Sequence, residues 1–414
     1  MVIIQKILDL GPVVMLPIMI FLLGLFFRMK IGAALKAGLL VGIGFQGLNL
    51  VVNLLMSSIS PATEYYKAMG KGFTTVDIGF AAIGGASWGV PFAAIAVLII
   101  VAINIILLRL KVTNVMNIDI WNFIHFLIPG ALAYALFGNI LLGLGVTVVF
   151  GVLTLYAAQK VAPRWQEYFG LEGTTCSTFS FITLTYPASL LINKIIDFIP
   201  GLNKVDISMD KIANKLGFFG DPAVVGLFVG IFLGILTKQP WTVCLTMAIG
   251  IAAVLNLLPR MVSVMMEGLS SVGNSVQEYM KRKMGNETKL NIGMDIALSL
   301  GDPAVITVTV LCIPIVILFA FIIPNMTYFP VGLLGAVCYV IPMCAMASDG
   351  NVLRTFISSV INLFFVVLLS NYFAPEATEM MKVTGVKVSG MITDGHFGFN
   401  IGNIIIGFLS KVLR

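Results

Sequence analysis

The stretch Gly293-Met-Asp-Ile-Ala-Leu-Ser-Leu-Gly-Asp-Pro-Ala-Val305 decides how the rest of the chain is read. It is a short apolar piece, a break and a new helix. Gly301 can end the first piece, Asp302 can cap the next helix, and Pro303 fits its first turn. A long apolar run follows at once, from Ala304 to Ile323. A broken element therefore lies inside a hydrophobic segment, with Asp295 and Asp302 on either side of its middle. At membrane depth such backbone is tolerated only inside protein or along a wet cavity, and broken helices are where transporters hold their substrates. Thr75–Pro91 has the same plan: Asp77-Ile, small apolar residues, a glycine break, then a helix.

Composition agrees with a membrane setting. Of 414 residues, 59% are hydrophobic and 11% charged, under half the soluble charge content, and the mean hydropathy is +1.03. A span takes roughly 20 apolar residues, so the length accommodates about ten or eleven transmembrane helices. The expected fold is an all-α polytopic membrane protein with broken or re-entrant segments, forming one membrane-embedded unit over residues 1–414. The net charge of +6 reads as membrane orientation and not as nucleic-acid binding. Four of the five cysteines (Cys244, Cys312, Cys338, Cys344) sit in apolar runs as small core residues. Cys176 lies in a polar run with no base nearby, so it is not read as a nucleophile. No metal-ligand spacing, Gly-rich dinucleotide loop or Walker A motif appears, and no cofactor is expected. No cleavable signal peptide is evident.

In chain order, Met1–Leu10 suits an interfacial segment, and spans are expected over Gly11–Phe27 and Ala37–Met56, with Arg28, Lys30 and Lys36 in the loop between. Ser57–Gly72 reads as a polar loop. A span from Pro91 to Leu108 follows the first broken segment, and another ends near Ala158. Asn203–Leu216 reads as a charged amphipathic linker, after which the pattern restarts. Pro12-Val-Val-Met returns as Pro222-Ala-Val-Val, with Gly24 falling on Gly234, 210 positions later. Leu48-Asn-Leu returns as Leu255-Asn-Leu, Asp77-Ile as Asp295-Ile, and Asn117-Ile-Asp119 as Ala347-Ser-Asp349. These matches divide the chain into a first repeat over 1–200, a linker over 201–217 and a second repeat over 218–414. Charge bears on their relative orientation. With the Arg28–Lys36 loop cytoplasmic, an inverted second half puts the basic cluster Lys281, Arg282, Lys283 and Lys289 on the same side, with the N-terminus outside. Inverted repeats place substrate between the halves at the midplane.

Polar groups within this hydrophobic frame are the candidate site. Asp77 and Asp295 are intramembrane carboxylates in matching breaks, and each can accept hydrogen bonds from two hydroxyls of a polyol. Asp302 and Asp221 share Gly-Asp-Pro-Ala-Val; capping alone accounts for Asp221, while Asp302 stands at the intramembrane break. Asp119, Asn122 and His125 share a helix face loosely, and a neutral imidazole both donates and accepts. The hydroxyl-rich run Glu172–Thr185 includes Thr178, and its counterpart is Ile392-Thr-Asp394-Gly-His396. Asp349-Gly-Asn351 reads as a capping turn.

A series of motifs then resembles a known family. Leu8-Asp-Leu-Gly-Pro-Val-Val-Met-Leu-Pro17, Lys36-Ala-Gly-Leu, Gly42-Ile-Gly-Phe45, Asn117-Ile-Asp-Ile-Trp-Asn122 with His125, Leu171-Glu-Gly173, Phe219-Gly-Asp-Pro222 and Gly350-Asn-Val-Leu-Arg354 run in order over nearly the whole chain. They resemble the galactitol-type membrane subunit, enzyme IIC, of the bacterial phosphoenolpyruvate-dependent sugar phosphotransferase system. A remoter similarity is to the ascorbate-type IIC proteins. The resemblance implies an inner-membrane homodimer with a core domain that carries substrate by elevator-type movement and a second domain for dimerisation. It implies a polyol or sugar substrate, and phosphorylation by a separate IIB protein through a phosphocysteine, recharged through IIA, HPr and enzyme I. The IIC chain itself carries no phosphoryl group. By position, His125, Asp295 and the region of Asp77 match where that superfamily meets its ligand. Three stretches depart from the galactitol-type pattern. Cys176-Ser-Thr178 stands in place of Pro-His-Gly, Gly220-Asp-Pro222 in place of Gly-Glu-Pro, and Gly301-Asp-Pro303 in place of Gly-His-Thr. The alternative reading is a proton-coupled secondary transporter in which a carboxylate such as Asp295 takes the proton.

Overall fold

The computed structural model describes residues 12–69, 73–117, 120–205, 207–208, 222–284, 290–386 and 390–413. Met1–Leu10, Asp119, Asp221, Lys289 and most of the linker lie outside the described residues. The chain is mostly helical. Among the described residues, three helices are long and apolar enough to cross a membrane by length and composition: Ile140–Phe169, Pro303–Ile322 and Val352–Tyr372. Shorter apolar helices accompany them.

Helix α1 (Pro12–Phe26) turns into α2 (Ile31–Met69). Arg28 closes that turn at φ 62°; its N–H reaches the Leu25 carbonyl, and Met29 N–H reaches Gly24. This is a paired-bond helix end with a left-handed residue. Later in the chain α8 (Pro222–Leu236) turns into α9 (Trp241–Met284) in the same way. Lys238 stands at φ 55°, with its N–H on Ile235 and Gln239 N–H on Gly234.

Helices α2 and α9 pack antiparallel. Gly44 lies against Met265, Gly250 against Ser58 and Gly268 against Ala37. The approach is close enough that a β-carbon on Gly44 would stand 2.6 Å from the Met265 backbone nitrogen. Small residues at helix crossings allow such backbone contact in membranes, where dispersion and not water exclusion holds helices together. This contact also explains one departure from expectation. Within the stretch expected as a loop, Ser57–Met69 is helix, because α2 runs on to Met69. Ser57 and Ser58 return their hydroxyls to the Leu54 carbonyl, and Ile59, Ala62 and Tyr66 are buried.

Between these helix pairs come β1 (Thr75–Asp77), α3 (Gly79–Ser87), α4 (Ala93–Arg109), β2 (Val115–Asn117), α5 (Ile120–Phe137), α6 (Ile140–Phe169) and β3 (Thr174–Cys176). The span expected to end near Ala158 is two helices, broken where Gly138 takes φ 65° and Asn139 caps α6 through Leu141 and Leu142. After β3 a π-helical turn, Phe181–Thr185, leads into α7 (Tyr186–Asp197). After α9 come β4 (Asn291–Met294), a 3-10 turn (Ile296–Ser299), α10 (Pro303–Ile322), a second 3-10 turn (Gly332–Gly335), α11 (Val337–Ala347), α12 (Val352–Tyr372), α13 (Ala374–Val383), β5 (Met391–Thr393), α14 (His396–Phe399) and α15 (Ile401–Leu413).

The strands form two small parallel sheets. One is β1–β5, extended by a bridge from Thr75 to Tyr328. The other has the order β2–β4–β3. Strands this short gain little alone, but inside an apolar bundle each backbone group needs a partner. The sheet edges are closed accordingly. Asn104 on α4 donates to the Val115 carbonyl and accepts from Asn117 N–H, and Thr327 accepts from Thr75 N–H.

Candidate functional site

Strand β4 lies between β2 and β3, with Gly293 opposite both Asn117 and Thr175. A β-carbon on Gly293 would stand 2.7 Å from Ser177 Oγ and 3.1 Å from Asn117 Cα, so only glycine admits the approach. One residue past β4 the chain turns at Asp295. Its Oδ1 accepts Ala297 N–H at 2.8 Å, starting the 3-10 turn. Its Oδ2 accepts from the Thr178 hydroxyl at 3.2 Å.

Thr178 is the hub. Its oxygen accepts Ile296 N–H at 2.8 Å, and its single proton has two acceptors in reach, Asp295 Oδ2 and Asn122 Oδ1 at 3.0 Å. Asn122 Nδ2 donates to Ser177 Oγ at 2.7 Å, and Ser177 Oγ donates to Asn117 Oδ1 at 3.2 Å. Asn117, Asn122, Ser177, Thr178 and Asp295 thus form one polar relay spanning the three-stranded sheet. Asp295 is its half-buried end, and the other four are buried.

His125 lies one turn beyond Asn122 on α5, buried, with Nδ1 2.8 Å from Ser180 Oγ. Its ring stacks near Phe80 (5.6 Å, 26°), is edge-on to Phe181 at 5.8 Å, and lies 5.0 Å from the His396 ring. His396 contacts Phe80 at 5.2 Å and Phe399 at 4.8 Å. Asn400 Nδ2 donates to the His125 carbonyl at 2.7 Å and reaches His396 Nε2 at 2.8 Å.

The other sequence candidates fall elsewhere. Asp77 belongs to the second sheet and is held by protein groups. Oδ1 accepts Gly79 N–H, and Oδ2 accepts Leu333 N–H at 2.9 Å and the buried Tyr328 hydroxyl at 2.8 Å. Asp302 caps α10 through Val305 N–H at 3.0 Å. Asp119 lies outside the described residues. Cys176 is fully buried in β3. Asp349 pairs with Arg164 and is exposed. Sequence reasoning noted Asp394 and His396 only as counterparts of the hydroxyl run, and it passed over Asn400 and Tyr328. The signal for His396 was its rarity, since the chain has two histidines. Asn400 and Tyr328 gave no signal beyond ordinary helix-end polarity.

Chemically, the relay offers a carboxylate, an amide and hydroxyls at the end of a dry polar network, beside a box of aromatic and imidazole rings. Such a set binds hydroxyl groups and the C–H faces between them.

The chain matches the family model EIIC-GAT, described as a PTS system sugar-specific permease component, over residues 6–391. It is 33% identical over 395 residues to the galactitol-specific EIIC component of the PTS system from Escherichia coli K12, covering 94% of this chain and 86% of that one. The galactitol-specific component of Escherichia coli O157:H7 matches equally. A putative permease IIC component of Escherichia coli K12 is 29% identical over 416 residues, covering 98% and 95% of the two chains.

Proposed function

Since the chain belongs to the EIIC-GAT family of sugar-specific permease components of the phosphotransferase system, we propose that it is the IIC subunit that binds a polyol such as galactitol and presents it to a phosphorylated IIB partner. Family membership makes it a membrane protein of sugar or polyol transport coupled to phosphorylation, working with IIB and IIA. The observation that carries the finer reading is the relay ending at Asp295. Its carboxylate stands at an intramembrane break, oriented by Ala297 N–H and Thr178, where it can accept from two substrate hydroxyls. Asn122, Thr178 and His125 complete the substrate-binding set. Asp77 and Asp302 shape the breaks. Asp119 follows β2 directly and joins the set by sequence position. The phosphoryl group would come from a phosphocysteine on IIB, recharged through IIA, and none is carried here.

The architecture we infer is two inverted repeats, 1–200 and 218–414, joined by a linker over 201–217. Three features support it. The turns at Arg28 and Lys238 share one hydrogen-bond pattern, 210 positions apart. Asp77 ends β1 and Asp295 directly follows β4, and each carboxylate accepts from the N–H two residues ahead. Each of those strands is flanked by segments of the other half: β1 by β5 and Tyr328, and β4 by β2 and β3. On that pairing Thr327–Tyr328 would stand to β1 as β2 stands to β4, a counterpart for β2 different from the sequence match of Asn117–Asp119 to Ala347–Asp349. Helices α1, α2, α8 and α9 would form the dimerisation domain of an inner-membrane homodimer, and the remaining elements an elevator-type core.

The test is uptake of labelled galactitol by membrane vesicles containing the protein, with IIB, IIA, HPr and enzyme I inside. Phosphorylated product that requires phosphoenolpyruvate is the expected result. Unmodified galactitol accumulating on a proton gradient would refute the reading in favour of secondary transport. A polyol panel run in the same vesicles identifies the substrate where galactitol is not taken.

A further inference from the structure

Beside His125, whose ring lies 5.0 Å from that of His396, two buried groups lack partners. They are Asp394 Oδ2 and His396 Nδ1, on residues 1% and 0% exposed. Their hydrogen-bonding sense can be worked out. Asn400 Oδ1 accepts Gly402 N–H at 2.8 Å and Asn403 N–H at 3.4 Å, which fixes the orientation of its amide. Asn400 Nδ2 therefore points its two hydrogens at the His125 carbonyl and at His396 Nε2. His396 Nε2 must accept. A charged imidazolium would put a donor there against a donor, so the ring is neutral and its proton is on Nδ1. His396 Nδ1–H is then a buried donor without an acceptor. Asp394 Oδ1 is taken by His396 N–H at 2.7 Å, which leaves Oδ2 a buried acceptor without a donor.

One unmet donor and one unmet acceptor, two residues apart on one tight turn, are costly in an apolar bundle. They do not satisfy each other. A single hydroxyl set between them would satisfy both, accepting from His396 Nδ1–H and donating to Asp394 Oδ2. The surroundings suit a carbon-bound hydroxyl, because the rings of Phe80 and Phe399 pack against His396 and offer apolar faces to C–H groups.

We propose that Asp394 and His396 form a second hydroxyl-binding couple for the polyol, beside His125 and separate from the relay at Asp295. This rests on the polyol-permease reading given above and extends it. It assigns one end of the substrate to the relay around Asp295 and a further hydroxyl to the turn after β5.

The test uses the full chain in lipid nanodiscs and calorimetric binding of galactitol and its monodeoxy analogues, with thermal unfolding as a check on integrity. D394N and H396A are expected to weaken binding about ten- to hundredfold, the usual effect of unpairing a buried group from a substrate hydroxyl. H396N, whose amide replaces the Nδ1–H donor, is expected to stay close to wild type. Among the analogues, one that binds the wild type at least about tenfold more weakly should lose that penalty in D394N. If D394N and H396A bind galactitol as the wild type does, or every deoxy penalty persists in D394N, the couple holds only a structural water and the proposal falls. D295N separates the two claims: loss of binding in D295N alone upholds the Asp295 site while overturning this one. A wild-type protein that is folded but binds no member of a polyol panel overturns the underlying reading, and this proposal with it.

Discussion

Replacing Thr178 by valine removes one oxygen and keeps the shape, and the structure says what that oxygen does. It accepts Ile296 N–H at 2.8 Å and donates its proton either to Asp295 Oδ2 or to Asn122 Oδ1. In T178V the Ile296 N–H becomes a buried donor without a partner, which costs stability by about 1–3 kcal/mol. The Asp295 carboxylate loses a bond to an ionised acceptor, worth about 1.5–3 kcal/mol where it is made. Because Asp295 is to receive substrate hydroxyls, its misorientation should appear as weaker polyol binding, by about ten- to hundredfold, with 1.4 kcal/mol per factor of ten. T178S keeps the hydroxyl and should bind near wild-type affinity. The assay is calorimetric polyol binding with thermal unfolding of the same samples. A cycle with D295N isolates the contact: residues in direct contact should couple by about 0.5–3 kcal/mol, whereas independent sites add to within about 0.5 kcal/mol. Additive effects would refute the relay. So would T178S behaving as badly as T178V, because the methyl and not the hydroxyl would then be what matters.

Three further outcomes follow from particular contacts. G44L should push α2 away from α9, since even its β-carbon meets the Met265 backbone; loss of the folded species on size exclusion in detergent is expected, and a wild-type profile would contradict the packing. Y328F removes the hydroxyl that Asp77 Oδ2 accepts at 2.8 Å and should lower stability by about 1–3 kcal/mol, read as a fall in the thermal midpoint that D77N does not deepen. Lys411 bonds the buried Glu376 at 2.9 Å and lies 4.4 Å over the Tyr372 ring. K411M leaves that carboxylate unpaired and should cost about 3–5 kcal/mol, while E376Q together with K411M recovers part of it. Equal stability of the single and double variants would show that the charge was not the cause.

Much of the frame was legible in the sequence because it rests on local chemistry. Asp302 before Pro303 reads as a helix start from its residue types, and it is one. The shared Asp-Ile stretches likewise pointed to broken elements at Asp77 and Asp295, and each carboxylate accepts from the N–H two residues ahead. The strands themselves were not legible. Thr75–Asp77 and Met391–Thr393 are three residues each and pair across more than three hundred positions, so no local period reveals them. Ser57–Gly72 was misread because its polar residues suit a loop, while the surface of α9, far along the chain, makes it helix. The break at Gly138–Asn139 is only two residues long and interrupts an apolar run, so hydropathy passes over it. Asp394 and His396 escaped weighting for a different reason. Their meaning depends on Asn400, whose amide orientation dictates the imidazole tautomer, and no spacing rule carries that.

The position of the site follows from the strands. Asp77 ends β1 and Phe80 comes just after it, and Asn122 and His125 come soon after β2. Ser177 to Phe181 follow β3, Asp295 follows β4, and Asp394 and His396 follow β5. Within each sheet the strands are parallel, so their carboxyl ends point one way, and side chains from those ends gather in one polar cluster, as they do in open parallel sheets. The two sheets meet through these ends, because Phe80 and His396 of one contact His125 of the other, and Phe399 contacts Phe181. Each sheet also takes its central strand from one part of the chain and its flanking segments from the other. Sliding one part past the other would therefore break backbone hydrogen bonds that nothing in a bilayer replaces. On the elevator-type reading proposed above, the polar cluster would move as one body, and its motion would fall at the boundary with the glycine-rich helix pairs α1–α2 and α8–α9.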